Sequence, residues 1–331
     1  MRKLVALAVF VGLSLGVWAQ VRVVDQAGRE VLVPAEPQRI VCAFGVATPY
    51  LYALVEGERI VAARYLGVPD HPLSRALMAQ LDPNYEAKAL PGEIAAEEII
   101  ARKADLVVAG LKHRDLAQLL EVVGIPTILV GPETFEAVQE TTRLLAQALG
   151  REERAERLIA FYASVLEAAA QATAGIPPEA RPRVLVVGTA PFRVASGAMY
   201  QSRMVELAGG LPVTQGLPGS WQNVNIEQVL LWNPEVIFIV PYSPVRAEDL
   251  RADPLWQPLA AVKAGRVYKM PQILFAWDTP IPESVLGILW MATRLHPERV
   301  QVDLLGAIQM FYGEFYGCTP SSEELSALLG G

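Results

Sequence analysis

Glu97-Glu98-Ile99-Ile100-Ala101-Arg102-Lys103-Ala104-Asp105-Leu106-Val107-Val108 aligns without a gap on Glu227-Gln228-Val229-Leu230-Leu231-Trp232-Asn233-Pro234-Glu235-Val236-Ile237-Phe238. Each stretch reads as a short helix opened by an acid, a turn near Ala104 or Pro234, and a strand opened by Asp105 or Glu235. One supersecondary unit thus stands once in each half of the chain; the alternative is a chance likeness of two common helix-to-strand joints. The surroundings favour the repeat. Around the first copy, apolar runs of strand length at 39–44, 60–63, 105–109 and 127–130 alternate with helical patterns, and runs at 183–187, 236–240 and 266–269 do the same around the second. Their Val, Ile and Leu do not alternate with polar residues, which marks strands buried on both faces, as in a parallel sheet covered by helices. Between the halves, 151–174 carries no Gly or Pro and places Leu158, Ile159, Phe161, Tyr162, Val165 and Leu166 at helical spacing. That predicts one helix of about six to seven turns, where a flexible linker would be rich in Gly, Ser or Pro. The fold class is therefore α/β, two halves with mainly parallel sheets joined by one long helix.

Further out, Met1-Arg2-Lys3 is followed by an uncharged apolar stretch over 4–18 and then by Ala19, with Val17 two positions before it. A basic start, an apolar run and small residues at −3 and −1 read as an export signal cleaved after Ala19. A membrane anchor is the alternative, but the run falls short of the roughly 17–25 residues that span a bilayer. No Cys follows as a lipid attachment point, and no later stretch is a membrane span, so the mature chain is expected in a periplasm. The segment 21–34 reads as a hairpin around an Asp25…Gly28 turn.

The chain has 331 residues, 52% hydrophobic and 19% charged, which is too apolar for disorder and long enough for two cores. Its formal charge of −7 becomes −9 once Arg2 and Lys3 leave with the signal, and no basic run is interleaved with aromatics, so nucleic acid is excluded as a partner. Cys42 and Cys318 are too few for a disulfide framework and lack companions for a zinc site; two separate thiols are the ordinary reading and a Cys42–Cys318 bridge the alternative. Nucleophile-elbow, phosphate-loop, dinucleotide and H-E-x-x-H signatures are all missing, and His71, His113 and His296 are scattered. Enzymatic activity, a resident metal and a cofactor are therefore not expected.

Taken together, Asp25-x-x-Gly28-Arg29, Pro37-Gln38-Arg39-Ile40-Val41, the segment from Glu97 to Val107, the long helix, Leu207-Ala208-Gly209-Gly210 and the segment from Glu227 to Ile237 resemble the helical-backbone (class III) periplasmic substrate-binding proteins of ABC importers. The likeness covers nearly all of the mature chain. It implies two Rossmann-like lobes with a ligand cleft between them, a permease and its ATPase as partners, and a monomer. The implied divisions are a signal at 1–19, lobes at 20–148 and 175–298, a connecting helix at 149–174 and a helical tail at 299–331. The family carries iron–siderophore complexes, haem, cobalamin and, in one branch, molybdate or tungstate. A long tail containing Pro280-Ile281-Pro282-Glu283-Ser284 and Phe311-Tyr312-Gly313-Glu314-Phe315-Tyr316 is less like the cobalamin binders, and the scarcity of His is unlike the zinc and manganese binders. The resemblance therefore implies capture of a metal chelate, a ferric–siderophore or related iron complex, with molybdate or tungstate, cobalamin or haem as alternatives. An exported enzyme assembled from distant residues is the reading from another class.

In open α/β sheets the ligand sits beyond the carboxyl ends of the strands. The candidate ligand residues are accordingly Phe44, Arg64, Tyr65, Lys112, His113 and Arg114 in the first half and Arg193, Tyr200, Trp221, Gln222, Tyr242 and Trp277 in the second. Aromatic faces suit bulky chelates, and Arg forks suit carboxylate, catecholate or oxyanion oxygens. By the same resemblance Glu97 and Glu227 dock on the permease; each would also favour its own helix dipole.

Overall fold

The computed structural model describes residues 19–65, 71–90 and 92–329. The export-signal reading falls on residues 1–18, outside those described. Among the described residues no helix is long and apolar enough to cross a membrane.

The chain opens with a hairpin, β1 (Gln20–Val24) and β2 (Glu30–Pro34), paired antiparallel. Its Asp25-x-x-Gly28-Arg29 motif has a physical reason. One Asp25 oxygen accepts the amides of Ala27 and Arg29, Gly28 takes a φ of +79°, and the Arg29 guanidinium returns to Asp25 at 2.7 Å. The same pair pins the hairpin to the first sheet, because Arg29 donates to the Thr127 carbonyl and Asp25 accepts the Leu129 amide.

The first sheet contains β3 (Ile40–Cys42), β4 (Ile60–Ala63), β5 (Leu106–Gly110) and β6 (Thr127–Val130), all parallel and in the order β4-β3-β5-β6. The second contains β7 (Arg183–Val187), β8 (Arg193–Val194), β9 (Leu211–Pro212), β10 (Gln222–Asn223), β11 (Val236–Ile239) and β12 (Val267–Lys269). Here β9, β7, β11 and β12 are parallel, while β8 and β10 form an antiparallel ribbon off the end of β7. The ribbon and β9 are two-residue strands, too short for any periodicity to announce them. The predicted long helix is Glu152–Thr173, with Leu158, Phe161, Tyr162 and Val165 buried. It packs on the Phe135–Leu149 helix of one half and the Ser284–Leu295 helix of the other, so a single rod carries both sheets.

The repeat is real in three dimensions. The two non-glycine residues with positive φ among those described are Lys103 (52°) and Asn233 (40°), which occupy equivalent positions of the two copies. At both, the chain makes a left-handed turn from helix to strand. The acid that opens each strand then closes the neighbouring one: Asp105 accepts the amides of Gln38 and Arg39 at 2.7 and 2.9 Å, and Glu235 accepts that of Arg183 at 3.0 Å. Chance likeness does not reproduce both features.

The halves also meet directly. The Tyr50 hydroxyl donates to the Pro280 carbonyl at 2.8 Å, and the Phe135 ring stacks on Tyr200 with centroids 4.3 Å apart. The tail folds back as Leu304–Phe311, a π turn at Tyr312–Tyr316 and Ser322–Leu329, burying Phe311, Tyr312, Phe315 and Tyr316. Cys42 and Cys318 are both buried free thiols, which settles the pairing alternative against a bridge.

Candidate functional site

Strand order reverses direction at β3/β5 in the first sheet and at β7/β11 in the second, so each sheet offers a crevice beyond those carboxyl ends. In the first half, Phe44 follows β3, Arg64 follows β4, and Lys112 and His113 follow β5. Gly110 allows Phe44 to lie against β5: a Cβ there would stand 3.1 Å from the ring. Phe44 in turn meets His113 edge to face, centroids 6.4 Å apart. The Gly110 amide donates to His113 Nδ1 at 3.0 Å, which leaves Nε2 to donate to Glu93 Oε2 at 3.0 Å. Lys112 Nζ reaches Glu93 Oε1 at 2.7 Å, and Arg64 reaches the same oxygen at 3.0 Å. Three of the predicted ligand residues therefore converge on one carboxylate, which hydrogen bonds from Lys112 and then His113 hold down at about 2.

In the second half, Trp221 lies on Gly188 at the end of β7, where a Cβ would stand 2.7 Å from the indole. Arg193 pairs with Asn223 across the ribbon, and Trp221 is two residues before Asn223, so Trp221 and Arg193 share one face. The Arg193 guanidinium has no hydrogen-bond or ion-pair partner among the described residues. Tyr242, 39% exposed after β11, donates to Asp278 Oδ2 at 3.0 Å, and Gln201 Nε2 reaches the same oxygen at 3.2 Å. Burial pushes the Asp278 carboxyl up to about 6, and its Oδ1 and the Gln201 Oε1 are buried without a partner among the described residues.

Five of the predicted residues are placed differently. Trp277 is wholly buried and donates its indole N–H to the buried Glu283 carboxylate at 2.7 Å, so it is a core anchor. Tyr200 is buried as well, its ring on Phe135 and its hydroxyl within 2.9 Å of Tyr162 and 2.7 Å of Ser284, and it joins the halves. Gln222 pairs with Val194, which points into the core, so it stands on the opposite face of the ribbon from Trp221. Tyr65 turns its hydroxyl to Tyr52, which donates onward to Asp82, a residue already ion-paired to Lys88 at 2.7 Å. Arg114 is exposed and does not join the Glu93 cluster. Glu93 itself carries no motif: it precedes Lys112 by 19 residues and only the fold brings them together.

Glu97 and Glu227 sit in the first turns of the Ala96–Ala101 and Ile226–Trp232 helices, exposed and without an ion-pair partner among the described residues. A helix that leads through a short turn into a parallel strand runs antiparallel to it, so both acids lie toward the carboxyl edges of their sheets, on the side of the crevices. A separate groove of about 890 Å³ opens at the other end of the Thr48–Leu54 helix, lined by Glu56, Asp82, Arg151, Arg154 and Tyr316. Its charges are paired internally, Arg154 with the Ala53 and Phe315 carbonyls and Asp82 with Lys88, and it lies away from the carboxyl ends of both sheets.

Residues 79–274 match the family model described as periplasmic binding protein. Over 263 residues the chain is 26% identical to the molybdate-binding protein MolA of Haemophilus influenzae, covering 72% of this chain and 75% of that one. It is 29% identical over 231 residues to a vitamin B12-binding protein of Pectobacterium carotovorum, covering 69% and 79%. A crystal structure of a periplasmic solute binding protein from Veillonella parvula superposes with a TM-score of 0.81 at 26% identity, covering 94% of this chain and 97% of that one. With more than half its length matched by the family model, and with two α/β lobes carried on one long helix, the chain belongs to the periplasmic binding protein family.

Proposed function

We propose that this chain is the periplasmic solute-binding component of an ABC importer, without enzymatic activity, that captures an anionic metal species in the interlobe cleft as a monomer. It hands that species to a permease driven by its ATPase. The observation that carries the anionic character is the convergence of Arg64, Lys112 and His113 on a single carboxylate at the carboxyl edge of the first sheet. A carboxylate or an oxyanion presents the same pair of acceptor oxygens to such a set. Arg193, without a side-chain partner among the described residues, supplies a further fork on the other lobe.

Two ligand chemistries fit this set. A bare molybdate or tungstate is favoured by the carboxylate-sized group that the bases already hold and by the likeness to MolA. A ferric chelate such as a siderophore is favoured by the broad apolar faces of Phe44, Trp221 and Tyr242, on which organic rings would stack. Glu97 and Glu227, one on each lobe, are the proposed contacts to basic residues of the permease, and the signal at 1–19 is the proposed route to the periplasm.

Titration calorimetry with molybdate and, separately, ferric citrate separates the two. Lys112→Gln is expected to weaken whichever anion binds by about tenfold, the scale of one charge-assisted hydrogen bond. Equal affinity in the variant would remove the anionic station from the account.

A further inference from the structure

The cluster that suggests an anion already contains one. Glu93 Oε1 is held by Lys112 at 2.7 Å and Arg64 at 3.0 Å, and its Oε2 by the His113 Nε2 proton at 3.0 Å. All three partners are on segments that follow strands of the first sheet, whereas Glu93 arrives on the lead-in to the Ala96–Ala101 helix. We infer that Glu93 is an internal stand-in for the ligand's anionic group: its carboxylate occupies the station, and the incoming anion must displace it. The inference rests on the proposed anionic ligand and adds to it a residue that sets affinity.

Three features make the carboxylate displaceable rather than structural. Its side chain is 57% exposed, so a competing anion has access and water can take the released group. Ion pairs with that exposure are individually weak, so the cost of opening is small. Two of the three partners have backbone anchorage of their own: Nδ1 of His113 is fixed by the Gly110 amide, and Lys112 belongs to the same short turn, so that side of the station keeps its shape when Glu93 leaves. The two-oxygen geometry also specifies the ligand group. It is a carboxylate or an oxyanion with at least two oxygens free, and a neutral ligand has no means to evict Glu93.

A tethered competitor lowers apparent affinity by the fraction of time the station is open. If that fraction is about one tenth, Glu93→Gln, which keeps the shape and removes the charge, tightens binding about tenfold. The experiment follows the His113 imidazole by NMR while wild type, Glu93→Gln and Lys112→Gln are titrated, one arm with molybdate and one with ferric citrate. The inference expects the His113 signal to move in at least one arm, at lower ligand concentration in Glu93→Gln than in wild type, and at higher concentration in Lys112→Gln. Saturation in Glu93→Gln where wild type does not saturate is the same result. Equal or weaker binding by Glu93→Gln, with Lys112→Gln still impaired, overturns the stand-in and leaves the anionic station intact. A His113 signal unmoved by either anion in all three proteins overturns both.

Discussion

Replacing Glu283 by Gln should flatten the pH dependence of stability, and the size of the effect follows from where the carboxyl lies. Glu283 is wholly buried, with one oxygen accepting the Trp277 indole and the Tyr312 hydroxyl and the other without a partner among the described residues. Burial dominates and pushes its carboxyl up from 4.5 to about 7, against the lowering effect of those hydrogen bonds. A raised carboxyl favours the protonated form in the folded chain. Its contribution is therefore fully present below 4.5 and is lost as pH rises through 7. At about 1.4 kcal/mol per pH unit, wild type should lose about 3 kcal/mol from this group across that window, while Glu283→Gln loses none of it. Asp278, also raised by burial, titrates in both proteins and cancels in the difference. Urea denaturation followed by circular dichroism at pH 5 and pH 7.5 measures it. The reasoning is refuted if the two proteins lose stability in parallel.

Other outcomes are equally specific. Gly188→Val puts side-chain atoms where the Trp221 ring now lies and, like Trp221→Ala, should weaken ligand binding about three- to tenfold by calorimetry, the worth of one stacked ring. Lys103→Gly should raise the urea midpoint by relieving a left-handed Lys, worth up to about 1 kcal/mol. Asn233→Gly should not, because the Asn233 side-chain oxygen accepts the Ala260 amide and that cap is lost. Glu97→Ala with Glu227→Ala should leave ligand affinity unchanged and lower uptake in a reconstituted transporter; unaltered uptake would remove the docking role.

The scaffold was legible where strands are buried on both faces. Runs such as Thr127–Val130 and Arg183–Val187 have no polar alternation, and the predicted bounds are those observed. The central helix was legible because nothing in it breaks a helix. The two-residue strands of the second sheet were not, since two residues are too few to show a pattern of their own. The site divides along the same line. Position after a strand puts Arg64, Lys112, His113, Trp221 and Tyr242, all proposed ligand residues, at the carboxyl edges of the sheets, because topology alone dictates those places. It misplaced Trp277 and Tyr200, because an aromatic after a strand can fold back into the core when a buried acceptor such as Glu283 or Ser284 waits for its polar atom. Gln222 failed by one residue of register. Glu93 had no sequence signal, because a loop acid gains its meaning only from the bases that surround it.

The central claim is that the cleft of this protein holds an anionic metal species, and native mass spectrometry of the protein purified from its own organism, with elemental analysis of the same sample, tests it most directly. The account predicts a retained mass belonging to a metal oxyanion or an anionic metal chelate, with molybdenum, tungsten or iron in proportion to protein. A retained amino acid, sugar or peptide without metal would contradict it.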